Sequence, residues 1–225
     1  MCPLGGEPLN ATDPPLTAWV FVGGDPPGLA AADLPAATLT VAADSGADHA
    51  RSMGVLVDVV VGDLDSITAG TLGWAQEHEA EFVTFPQDKN ATDLELALRL
   101  CMERGAGRIV VVGGLGGRVD HQMGNLLLMA HEDFARIIVE LHAASTVVQV
   151  IRSHPVALHT TAGNTVSLFP VAGPIEGLST HGFHWELSDA TVPVGSTWTV
   201  SNVARSDHPT VDVASGVLLA VTTGA

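Results

Sequence analysis

Val59-Val-Val-Gly-Asp-Leu-Asp-Ser66 is the stretch on which the reading of this chain turns. Three β-branched residues run into Gly62, and two carboxylates follow with one residue between them. The pattern predicts a buried strand that ends in a sharp turn, with Asp63 and Asp65 at its C-terminal tip. In open α/β sheets ligands bind just outside that end of the strands. Two carboxylates at one tip repel each other unless a positive group sits between them. A Mg²⁺ ion carrying substrate phosphates suits such a place, since it takes hard oxygen ligands and keeps several waters. The plainer alternative makes Asp63 a turn residue and Asp65 a helix cap.

Strands alternate with helices on both sides of this stretch. Strands are expected at Ala18 to Val22, Thr38 to Ala43, Val57 to Val61, Glu81 to Phe85, Arg108 to Val112 and Ile137 to Leu141. Ser45 with Asp48, and Thr92 with Glu95, are expected capping pairs for two of the helices. A helix is expected over Ala69 to Glu79. Leu94, Ala97, Leu98 and Cys101 mark one helical face, ended by Gly105 and Gly107. Val119, Met123, Leu126, Leu127 and Ala130 mark another. This alternation signals a parallel sheet covered on both faces. After about residue 145 the helices stop. Short β-rich runs recur at Val147–Ile151, Thr165–Phe169, Thr197–Val200, Thr210–Val213 and Val217–Val221. The expected fold is therefore an α/β N-terminal domain with a mainly parallel sheet flanked by helices, plus a C-terminal all-β sandwich-like domain. Residues 1–17 read as a flexible tail, 18–145 as the α/β domain and 146–225 as the sandwich.

Composition narrows the function. The 225 residues carry 25 acidic and 9 basic side chains, a formal charge of −16. That argues against nucleic acid as a partner, because backbone binding needs clustered Lys and Arg. No basic segment followed by an apolar run opens the chain, and no run of about 18 apolar residues suggests a membrane span. Cys2 and Cys101 are far apart, so a disulfide framework is not expected and a cytoplasmic location fits. The histidines show no zinc-ligand spacing.

Four polar loops follow four of the expected strands. They carry Asp44; Asp63 with Asp65; Lys89 with Thr92 and Asp93; and Arg118 with Asp120, behind the glycine-rich run Gly113-Gly-Leu-Gly-Gly117 that includes Gly114. In a parallel sheet all four gather on one edge. Carboxylates that hold Mg²⁺, with Lys and Arg to neutralise phosphate oxygens, suit phosphoryl or diphosphoryl transfer. Glycines let backbone amides approach an anion. Each piece also has a structural reading: a helix cap at Thr92 and Asp93, a surface ion pair at Arg118 and Asp120. The glycine-rich run is neither a P-loop nor a dinucleotide fingerprint.

Taken together, Asp44-Ser-Gly-Ala47, Gly62-Asp-Leu-Asp-Ser66, Lys89-Asn-Ala-Thr-Asp93 and Gly113-Gly-Leu-Gly-Gly-Arg-Val-Asp120 resemble the thiamine pyrophosphokinase family. Gly163-Asn-Thr-Val-Ser-Leu-Phe-Pro170, Gly182-Phe-His-Trp185 and Val200-Ser-Asn202 continue the resemblance in the same order. It implies a homodimer with active sites at the interface, which transfers a diphosphoryl group from ATP to the hydroxyl of thiamine with Mg²⁺, giving thiamine diphosphate and AMP. By the same resemblance Asp63, Asp65 and Asp93 are metal and phosphate-site acids, and Asp44 faces the nucleotide phosphates. Lys89, Thr92, Gly114 and Arg118 belong to the phosphate site. Asp120 faces the acceptor hydroxyl, and Ser201, Asn202 and Trp185 lie near the thiamine. One departure stands out: Asn90 occupies a position where bacterial members carry Asp. Other acceptors with a hydroxymethyl group, such as a pterin, a metal phosphohydrolase and a non-catalytic thiamine or nucleotide sensor are the competing readings.

Overall fold

The computed structural model describes residues 16–224. Both face and edge of the first half follow from alternation along very apolar strands. In β1 (Leu16–Val22), β2 (Leu39–Ala43), β3 (Val59–Gly62) and β5 (Ala106–Gly113), neighbouring residues point to opposite faces. Val59 and Val61 pack on one face with α3 (Asp93–Glu103), whereas Val60 packs on the other with Ala47 and Ala50 of α1 (Gly46–Ser52) and Ala75 of α2 (Ala69–Glu77). A strand covered on both faces has no reason to alternate polar with apolar. Each fully buried Val contributes about 1.5–3 kcal/mol. The face predicted for α3, namely Leu94, Ala97, Leu98 and Cys101, is buried as expected.

With β4 (Glu81–Thr84) and β6 (Ile138–Ala143), these strands form a parallel run in the order β6-β5-β1-β2-β3-β4. The chain winds outward from β1 to β4, then returns to the other side of β1 as β5. The switch point thus lies between β1 and β5, where the loops leaving the two strands diverge.

Beyond β6 the pairing turns antiparallel. β7 (Thr146–Ile151) pairs with β6, β14 (Leu218–Thr223) with β7, β9 (Thr165–Pro170) with β14 and β12 (Asn202–Val203) with β9, so one ten-stranded sheet spans both halves. A second, four-stranded sheet holds β8 (Val156–Ala157), β10 (Ile175–His181), β11 (Ala190–Val192) and β13 (Thr210–Asp212). Ile151, Val166, Leu168, Leu218 and Ala220 of the large sheet meet Ile175, Leu178, Val192 and Val211 of the small one, which is sandwich packing. The α/β-plus-sandwich class therefore matches the expectation. No helix among the described residues is long and apolar enough to cross a membrane.

Several local expectations are corrected. Leu16 and Thr17, expected as the end of the tail, belong to β1; the rest of the expected tail, 1–15, lies outside the described residues. Ser45 makes no side-chain cap; Asp48 instead accepts hydrogen bonds from the Thr68 backbone at 3.2 Å and its hydroxyl. Thr92 does cap α3 through the Glu95 N–H at 3.2 Å, but Glu95 turns to Arg99 rather than completing the box. Gly107 lies inside β5 and does not end a helix. Thr197–Val200 is a turn and not a strand, whereas β10 at Ile175–His181 is a strand that the apolar pattern did not announce. Most tellingly, the face predicted on α4 (Val119–Met129) is only partly buried: Leu126 and Ala130 pack on the core, but Val119, Met123 and Leu127 are 68%, 58% and 52% exposed.

Candidate active site

The loops after β1, β2, β3, β4 and β5 line one open cavity of about 460 Å³ at the C-terminal edge of the parallel strands. Asp44, Asp63, Asp65, Lys89, Thr92, Asp93, Gly114 and Arg118 all reach it. Widely separated loops thus converge as the parallel topology requires. The loop after β1, with Gly23 and Gly24, also contributes, although it is not one of the four polar loops singled out in the sequence.

Three acids form the centre. One carboxylate oxygen each from Asp44, Asp63 and Asp93 lies within 4.8 Å of the others. Asp44 is 8% exposed, and its Oδ1 is buried without a hydrogen-bond partner. Burial pushes its carboxyl above the ordinary range; Ser66 pulls the other way, and the neighbouring Asp93 charge raises it further. Lys89 sits among these acids, its Nζ 2.8 Å from Asp93 Oδ1 and 3.9 Å from Asp63 Oδ2. Partial burial alone would lower the Lys89 ammonium; Asp93, Asp63 and Asp44 outweigh it and hold the group above its usual value. Asp65 stands at the rim. Ser66 donates to it at 2.8 Å and Gln87 at 2.6 Å, and these bonds keep it below the usual carboxylate value. Asn90 is exposed and lies off the cavity wall, so replacing an acid there leaves the central three intact.

Backbone geometry at this edge is unusual. Gly62 has φ 145°, and a Cβ there would stand 3.1 Å from Asp93 Oδ1 and 3.2 Å from the Asp44 Cβ, so only glycine lets the acids close around the tip of β3. Asp44 and Leu64 adopt φ 45° and 65°, left-handed conformations that cost non-glycine residues about 1–2 kcal/mol. Gly114, at φ 80°, is held from behind: Asn125 Nδ2 donates to its carbonyl at 3.0 Å. Asn125 also lines the cavity, and no sequence pattern singled it out.

Arg118 and Asp120 pair with each other, with Nη2 to Oδ2 at 2.6 Å, and are 71% and 64% exposed. The guanidinium holds the Asp120 carboxyl down at about 2. Arg118 lines the cavity, whereas Asp120 is not part of its wall.

The remaining candidates lie elsewhere in the chain. Trp185 and Asn202 line a separate cavity of about 350 Å³ with Leu168, Leu187, Trp198 and Val200. Trp185 and Trp198 are 60% and 61% exposed. Asn202 fixes the Trp185 backbone with two hydrogen bonds, and Ser201, at φ 62°, donates its N–H to Ser167 Oγ at 3.0 Å. Within one chain, then, the acidic cavity and the tryptophan cavity do not merge.

Residues 32–141 match the family model "Thiamin pyrophosphokinase, catalytic domain" and residues 153–218 match "Thiamin pyrophosphokinase, vitamin B1 binding domain". A thiamine pyrophosphokinase of Bacillus subtilis is 26% identical over 185 residues, covering 82% of this chain and 86% of that one. Thiamine pyrophosphokinase 2 of Arabidopsis thaliana is 28% identical over 171 residues, 72% of this chain; the match spans only 63% of that longer relative. The crystal structure of the Bacillus subtilis protein superposes with a TM-score of 0.80 at 24% identity, covering 92% of this chain and 98% of that one. The Candida albicans thiamin pyrophosphokinase shares the fold with a TM-score of 0.74 at 14% identity, covering 93% and 90%.

Proposed function

Because this chain belongs to the thiamin pyrophosphokinase family, we propose that it transfers a diphosphoryl group from ATP to the hydroxyl of thiamine, giving thiamine diphosphate and AMP. The observation that carries this reading is the convergence of Asp44, Asp63 and Asp93 with Lys89 on a cavity walled by the glycine-rich β5 loop.

The acid cluster fits Mg²⁺, since the Asp44 oxygen without a hydrogen-bond partner is a hard ligand lacking a counter-group. Asp44, Asp63 and Asp93 are the proposed metal set, with Asp65 beside them at the rim. Bound there, Mg²⁺ supplies charge neutralisation on the phosphate oxygens. Lys89 already screens the acids from one another and lies ready to pair with phosphate. Arg118 and the backbone amides around Gly114 form the opposite wall, where charge develops on the transferred group. Thr92 caps α3, and the helix N-terminus adds a positive partial charge near the same oxygens. Asp120, held near a pKa of about 2 by Arg118, is a very weak base in this pairing; its proposed part is to orient the thiamine hydroxyl rather than to remove its proton early.

Thiamine is assigned to the tryptophan cavity, where Trp185 offers a flat π-face to a cationic ring. Ser201 and Asn202 shape the same loop. Because this cavity and the acidic one are separate within a chain, the reading includes a homodimer in which the sandwich half (146–225) of one protomer faces the α/β half (18–145) of its partner. The exposed stripe Val119, Met123 and Leu127, beside Arg118 and Asp120, supports such burial. A cytoplasmic setting belongs to the same reading, and the buried free thiol of Cys101, pushed up to about 12 by burial, suits it. Chromatography of the products from Mg·ATP, with and without thiamine, tests the reaction: AMP formed only with thiamine is expected. ADP or free phosphate in its place would refute it.

A further inference from the structure

We propose that Glu140, His142 and His159 form a second metal site, distinct from the acidic cavity, that takes a divalent transition ion of the zinc class. Glu140 and His142 lie two residues apart on β6 and so project from the same face of the sheet. His159 follows β8 and comes to the same spot from the second sheet. One ligand atom of each lies within 4.8 Å of the other two. His159 Nδ1 stands 3.1 Å from Glu140 Oε2, and His142 Nε2 stands 3.4 Å from Glu140 Oε1. Ligands about 2.0–2.1 Å from a tetrahedral zinc are themselves about 3.3–3.4 Å apart, so little movement is required. Two histidines and one carboxylate are a recurring zinc set that leaves a fourth position open.

The chain builds this site rather than merely containing it. Glu140 is 1% exposed in the middle of the large sheet, where an unpaired charge is costly. Arg108 takes only one of its oxygens, Nη2 to Oε1 at 2.7 Å. Nε2 of His142 is buried without a hydrogen-bond partner, and Oε2 of Glu140 meets only the His159 ring nitrogen, so a cation among the three would satisfy them. Arg108, His142 and His159 are the three nitrogen-bearing side chains set around the Glu140 carboxylate. Gln149, directly opposite Glu140 on β7, accepts the His159 backbone N–H at 2.7 Å and pins that loop over the site. Such outer contacts orient metal ligands in built sites. The site opens through His159 onto a cavity of about 590 Å³ with Arg136 and Arg152 on its wall, so an anion or hydroxide is favoured as fourth ligand.

Soft-to-borderline nitrogen ligands set this site apart from the oxygen cluster proposed for Mg²⁺. The test is titration of the chelator-stripped, untagged protein with Co²⁺, then Zn²⁺. One equivalent of Co²⁺ with the strong visible bands of a four-coordinate ion is expected, displaced by Zn²⁺ and not by excess Mg²⁺. His142→Asn and His159→Gln should each lose on the order of 100-fold or more in affinity, at or beyond what loss of an outer partner costs. Asp63→Asn should keep the equivalent, which separates this proposal from the reading of the acidic cavity. A folded wild-type protein that takes up no Co²⁺ would overturn it, and so would two histidine variants that keep the bands. The wild-type spectrum decides on its own if a variant fails to fold.

Discussion

Asn202 holds Trp185 by both ends of its backbone unit: its Oδ1 accepts the Trp185 N–H at 3.1 Å, and its Nδ2 donates to the Trp185 carbonyl at 2.7 Å. The amide is therefore occupied, and its part is to present the indole. Replacing it with Ala removes these two hydrogen bonds and a third from the Val203 N–H at 2.9 Å, each of about 1 kcal/mol. We expect Asn202→Ala to raise the KM for thiamine roughly 5- to 30-fold with kcat little changed. Trp185→Ala should act in the same direction. Steady-state kinetics with thiamine varied at saturating Mg·ATP check this, and a change confined to kcat would reassign Asn202.

Lys89 is the only cation within 4 Å of the central acids among the described residues. Lys89→Met leaves Asp44, Asp63 and Asp93 to repel one another and removes a phosphate partner. Turnover should fall about 10²- to 10³-fold. Circular dichroism should show the fold retained. An unchanged rate of AMP release would remove Lys89 from the site.

Gly62 closes the tip of β3 against Asp93 and Asp44. Gly62→Ala places a methyl group 3.1 Å from Asp93 Oδ1 at a φ that alanine rarely adopts. A loss of about 1–2 kcal/mol in urea unfolding is expected, together with a larger loss of activity because the acids are forced apart. Full activity in a destabilised variant would show that their spacing does not matter.

Much of this was legible beforehand, and the failures have physical reasons. The Val59–Ser66 stretch declared a doubly covered strand with acids at its tip, and parallel pairing then brought the other loops to the same edge. The grouping of Asp44 with Asp63 and Asp93, leaving Asp65 at the rim, depends on left-handed turns at Asp44 and Leu64 that residue types alone do not show. On α4, period tells which residues share a face but not what covers it, and Val119, Met123 and Leu127 stand exposed. β10 was missed because Gly177, Ser179 and Thr180 interrupt its apolar pattern, although Thr180 is fully buried. Glu140 and His142 sat unnoticed in an apolar strand, since their partner His159 comes from a distant loop.

The Glu140 network makes stability depend on pH. Its carboxyl lies below the ordinary value of 4.5 in the folded chain. A depressed pKa contributes stability that is present above 4.5 and is lost as pH falls toward the folded value. Glu140→Gln leaves Arg108 without its partner and should cost about 3 kcal/mol at neutral pH, the low end for a broken buried pair because Arg108 is partly exposed. The gap in Tm between variant and wild type should shrink below pH 4.5. A gap independent of pH would show that the charge is not what Glu140 contributes.

The central claim is that three acids from separate loops act together on one polyphosphate. Its most direct test is thiamine-dependent AMP release by Asp44→Asn, Asp63→Asn and Asp93→Asn, each at saturating ATP and Mg²⁺. We predict a fall on the order of 10²-fold or more in every one, with the fold intact. Near wild-type release from all three would contradict the account.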